Sequence, residues 1–142
     1  MVDTSEIQKR VRRLIEQSRR AAEERRGRAA AETLDGERAL RHVVAPVFKT
    51  VAAALKAEGH PFRVSTPIAA VRMSTEASGD NFIELVFDPT GDQSALRGHV
   101  SRIRGRRVIV RETVVSEGAE IGSLSGEDVL EFLLGELGVF LE

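Results

Sequence analysis

Residues 95–115 read ALRGHVSRIRGRRVIVRETVV. Apolar and polar side chains alternate on both sides of Arg104-Gly105, the period-two signature of strands, and the glycine supplies a turn between them. The stretch predicts an antiparallel hairpin. Its register is argued from burial. Leu96 and Val100 share one face of the first strand with Gly98 between them, and Val108, Val110 and Val114 share one face of the second. Placing both sets on the same face needs an odd number of loop residues, so a three-residue loop with Gly105 near its end, beside a bulge, is expected. The other face then displays Arg97, His99, Ser101, Arg107 and Arg111, with Arg104 and Arg106 at the tip. With Arg102, these side chains form one basic face.

Working toward the N-terminus, the same period recurs from Phe62 onward. Candidate strands are Phe62–Ser65, Ala69–Thr75, Asn81–Asp88, Ala95–Ile103 and Arg107–Val115, separated by turn residues at Ser78-Gly79-Asp80 and Pro89-Thr90-Gly91-Asp92. Short connections of this kind join neighbouring antiparallel strands, so a four- or five-stranded meander is expected.

Before Phe62 the pattern is helical. Residues from Thr4 to Thr33 lack proline and carry Ile7, Val11, Leu14 and Ile15 at spacings of three and four. At 1.5 Å per residue this helix extends about 45 Å, longer than a small sheet covers, so it is expected to project in part or to pack on another copy. Asp35-Gly36 is expected to end it, and a second helix, Glu37 to Glu58, follows with a kink at Pro46; the alternative is one kinked helix running through Asp35. After the sheet, Ser125 and Asp128 form a capping-box pattern ahead of Val129, Leu130, Phe132, Leu133, Leu134, Leu137 and Phe140. That helix carries more apolar surface than one sheet contact needs, which implies a second partner surface.

The expected fold is α+β: two N-terminal helices, an antiparallel meander and a C-terminal helix packed on the sheet. Residues 1–34 are read as an oligomerisation arm and 35–142 as the α+β domain. A chain of 142 residues with 42% hydrophobic content supports one core.

Composition narrows the chemistry. With no Cys, the chain has no disulfide, thiol nucleophile, iron–sulfur cluster or Cys-ligated zinc. No apolar run approaches the ~20 residues of a membrane span, and the first residues, MVDTSEIQKRVRR, lack a signal-peptide core. A cytoplasmic location without membrane contact is expected. His42, His60 and His99 lie in different elements and in no ligand spacing, and Asp88 and Asp92 fit turn chemistry, so no metal or cofactor is expected. There is no phosphate loop, nucleophile elbow or His-Glu-x-x-His, and no catalytic residue is assigned.

What remains is charge. The six arginines between Arg97 and Arg111 meet no acid in that span, whereas residues 112–142 hold eight acids and no Lys or Arg. Segregated blocks of this kind speak to association rather than to fold. The favoured expectation is a non-enzymatic homo-oligomeric interaction or scaffold module, its oligomer helix joined through Ile7, Val11, Leu14 and Ile15. The interaction face Arg97, His99, Arg102, Arg104, Arg106, Arg107 and Arg111 meets either an acidic protein segment, such as the chain's own C-terminal part, or nucleic acid. A small-molecule site between sheet and helices is a third reading.

Overall fold

A computed structural model describes residues 3–142. Helix α1 runs Thr4–Ala39, the five residues Leu40–Val44 wind as a π-helix, and α2 follows over Ala45–Ala57. The helix does not break at Asp35-Gly36; the continuous alternative is the one found. Gly36 is buried there, and a Cβ in its place would lie 2.4 Å from Cδ2 of the Phe87 ring. Packing thus retains a glycine whose local cost inside a helix is about 1 kcal/mol. The irregularity expected at Pro46 takes the form of the π turn just before it. Ala45 N–H donates to the Leu40 carbonyl, five residues back. The wider turn accommodates a residue that has no N–H and whose ring crowds the carbonyl four positions earlier.

The chain divides into two compact units, residues up to Ala31 and Glu32–Glu142. Within the first, Arg10 Nε donates to Glu6 Oε1 at 3.2 Å, an i,i+4 pair on an exposed helix surface.

In the second, five strands form one antiparallel sheet in the order β1-β2-β3-β4-β5, with β1 at Phe62–Ser65, β2 at Ala70–Thr75, β3 at Phe82–Asp88, β4 at Ala95–Arg104 and β5 at Arg107–Glu117. The meander is as expected from the short polar turns. Helix α3, Gly126–Leu137, begins with the full capping box: Asp128 N–H donates to Ser125 Oγ, and Ser125 N–H donates to Asp128 Oδ2.

The core lies between one sheet face and the helices. Val44 and Phe48, Met73, Ile83 and Leu85, Leu96, and Val129 and Leu133 are all closed to solvent. Alternation fixes this face, because Ile83, Leu85 and Phe87 must point the same way. Gly98 on β4 lets α3 settle close: a Cβ there would meet the Phe132 ring at 2.5 Å. Leu134 on α3 stays 61% exposed.

The hairpin differs from expectation. Arg104 pairs with Arg107, leaving a two-residue turn, Gly105-Arg106, with Gly105 at φ 65°. Glycine at the first central position with positive φ is the type II′ pattern, whose twist suits adjoining strands. The register irregularity sits instead at the far end, where Val115 is the extra residue between the pairs Arg97–Val114 and Leu96–Ser116. An odd loop is required only where the valines of β5 need burial. They do not: β5 is an edge strand, exposed from Arg107 through Val114.

Candidate interaction surfaces

The sheet face turned away from the core carries an ordered row of charge. Arg72 pairs with Glu84, Glu84 with His99, and His99 with Glu112, each directly opposite the next across β2 to β5. Arg72 Nε donates to Glu84 Oε2 at 2.8 Å, and His99 Nδ1 lies 3.3 Å from Glu84 Oε1. His99 Nε2 lies 3.7 Å from Glu112 Oε2. The Arg72 guanidinium also stacks over Phe82, 4.1 Å from the ring centroid. Glu84 is the buried member, only 7% exposed. Its depth is tolerable because both carboxylate oxygens have partners.

Arg97 continues this row along the face. Its Nε donates to Asp88 Oδ2 at 2.8 Å and its Nη1 to Glu112 Oε1 at 3.1 Å. Asp88 is held down at about 2 rather than 3.8, first by hydrogen bonds from the Thr90 hydroxyl and backbone N–H and then by Arg97, while Asp88 in turn raises the affinity of Arg97 for its proton.

The expected basic face is divided by the two-residue turn. Arg97 and His99 lie on the outer face. Arg111, one register step out of phase, lies on the helix side and donates to Glu136 of α3. Arg102, Arg104 and Arg107 share that side, and Arg106 occupies the turn. Arg102 and Arg104 line a cleft of about 550 Å³ with Thr75, Asn81, Phe140 and Glu142. Among the described residues, Arg102, Arg104, Arg106 and Arg107 belong to no ion pair. So the acidic C-terminal segment answers the root of the hairpin through Glu112 and Glu136 and leaves the tip unanswered.

Sequence reasoning did not single out Arg72, Glu84 or Asp88 as partners of the basic residues. Alternation within β3 sets Glu84 apart from Ile83 and Leu85, but its partners are 12 and 15 residues away, and only the register brings them together.

On the N-terminal unit, Ile7, Val11, Leu14 and Ile15 are 48%, 49%, 62% and 53% exposed. His42 and His60 are exposed and stand in other elements. Among the described residues, no group of His, Asp and Glu has the arrangement of a metal site, and no helix is long and apolar enough to cross a membrane.

Fold and surfaces together describe an α+β protein with a charged open sheet face, an arginine-tipped hairpin and an apolar helical stripe. No protein family, curated protein or solved structure matches the chain.

Proposed function

We propose that the protein is a non-enzymatic homo-oligomeric interaction module, and that the first helix joins copies through Ile7, Val11, Leu14 and Ile15. The observation that carries this reading is the exposure of all four side chains along one stripe of an otherwise charged helix. Ile7, Val11 and Leu14 follow the four-three spacing of a helix–helix seam, and Ile15 widens it. Covering a large aliphatic side chain that is about half exposed contributes on the order of 1 kcal/mol. Two such stripes facing each other supply apolar burial that opposes the several kcal/mol association costs.

The reading of association rather than catalysis is supported by His99. It has carboxylate partners, Glu84 and Glu112, but it stands on an open sheet face and, among the described residues, no serine or threonine hydroxyl is seen hydrogen-bonded to it.

Light scattering coupled to size exclusion at tens of micromolar tests the proposal. A mass above one chain is expected, falling to a single chain for Leu14→Glu with the circular dichroism of the sheet retained. A single-chain mass for the unmodified protein overturns it.

A further inference from the structure

The β4–β5 pairing outlasts the rest of the sheet. β3 accompanies β4 only as far as the pair Phe82–Ser101, whereas β4 and β5 continue through Arg102–Ile109, Ile103–Val108 and Arg104–Arg107. The result is a two-stranded extension with one turn at its end. Its base is fixed by the β2–β3 turn: Ser101 Oγ donates to the Asp80 carbonyl at 2.9 Å, and Ile103 N–H donates to Asn81 Oδ1 at 2.7 Å.

Residues 102–109 hold four arginines and no acid. The contrast with the root of the same hairpin is sharp. Arg97 is paired with Asp88 and Glu112, and Arg111 with Glu136, but the four tip arginines have no ion-pair partner among the described residues. Glu142 borders the cleft that Arg102 and Arg104 line without pairing to either. A net −1 for the whole chain does not cancel this field, because screening confines it to about 8–10 Å.

We infer that this ribbon grips the sugar–phosphate backbone of a B-form DNA duplex without reading its sequence. Guanidinium forks match phosphate oxygens in bidentate geometry, and four of them here are uncommitted. A two-stranded ribbon fits a major groove about 12 Å wide, whereas the corresponding groove of an RNA duplex is too deep and narrow to admit it. No Phe, Tyr or Trp lies in residues 102–109, and Phe140 in the neighbouring cleft packs edge-on against Phe62, so the ribbon itself offers single strands no stacking platform; no Asn or Gln lies there either, and Asn81 in the cleft accepts from the Ile103 N–H through its Oδ1. The opposite face of the ribbon offers Ile103, Val108 and Val110, 40%, 57% and 67% exposed. Three β-branched side chains without an aromatic anchor supply little for a lipid interface. This inference does not depend on self-association through the first helix.

Fluorescence anisotropy of a labelled mixed-sequence duplex with the full-length chain tests it. Each ribbon engaged should give a slope of log affinity against log salt near −3.6, about a 150-fold loss between ~50 and ~200 mM. Replacing Arg102, Arg104, Arg106 and Arg107 together by Gln should abolish binding with the thermal midpoint unchanged, since none of the four holds the fold through an ion pair. Replacing Arg111 and Glu136 together by Gln, which removes a matched pair and leaves the net charge unchanged, should leave affinity within about twofold. The inference is overturned by no binding at about 100 µM protein in low salt, the weak end of non-specific affinities. It is equally overturned by undiminished binding of the quadruple variant, by tighter binding to the single strand, or by preference for anionic vesicles or a polyglutamate peptide over the duplex.

Discussion

Gly36, in the middle of a long helix, lies under the ring of Phe87 on β3, and a Cβ at that position would stand 2.4 Å from ring carbon Cδ2. The contact joins helix to sheet at a notch only glycine leaves open. Gly27 in the same helix has nothing within 4 Å of the equivalent point.

These two glycines should respond oppositely to alanine. Gly36→Ala gains helix propensity but forces the Phe87 ring aside, with a net loss of about 1–2 kcal/mol. Gly27→Ala has only the propensity gain and should raise helicity, with ~0.5–1 kcal/mol in favour of the helix. Urea unfolding and circular dichroism measure both, and a Gly36→Ala variant more stable than the parent contradicts the packing account.

The Arg72–Glu84 pair should be unequal in its two halves. Removing the base as Arg72→Met leaves a carboxylate 7% exposed with only His99 beside it, at a cost of about 2–3 kcal/mol. Glu84→Gln leaves an arginine whose side chain is 35% exposed and reaches water, at a cost of about 1 kcal/mol. Equal losses in chemical denaturation would remove the claim that burial of Glu84 sets the balance.

Asp88 makes an acid-side prediction. Its ionisation midpoint falls from 3.8 to about 2, so the folded state prefers the carboxylate. The resulting stabilisation is complete above pH 3.8 and is lost as pH falls through about 2. Thr90→Ala removes the leading cause, and the Asp88 midpoint should move back toward 3.8 in a carboxyl carbon NMR titration. No movement would shift the credit to the residue-90 backbone N–H and Arg97.

The cap and the core of α3 are separable. Ser125→Ala should cost about 1 kcal/mol by depriving the Asp128 N–H of its Oγ acceptor, while the Ser125 backbone N–H, the first cause holding the Asp128 carboxyl below its usual range, remains. Leu133→Ala removes a side chain closed to solvent and should cost about 2–5 kcal/mol. Thermal melts of the two variants check the order, and a larger loss from Ser125→Ala would reverse it.

Much of this architecture is local and therefore legible. Period-two alternation located all five strands, because each strand needs only its own neighbours to define a face. Ser125 and Asp128 announced α3, because a capping box closes within one turn. The stripe Ile7, Val11, Leu14 and Ile15 is likewise a property of consecutive turns of one helix.

Tertiary structure decided three things. The helix passes through Asp35-Gly36 because Phe87, far along the chain, needs the space that glycine leaves. The hairpin is free to close in two residues because neither face of β5 is buried from Arg107 through Val114, so burial sets no register there. That one-residue difference turned Arg107 and Arg111 away from Arg97 and His99, and it placed Glu112 beside both. Sequence periodicity determines which residues share a strand face. Which face meets the core, and which charges stand opposite, depends on pairing between segments that are distant in the chain, and that is fixed only when burial chooses among the possible registers.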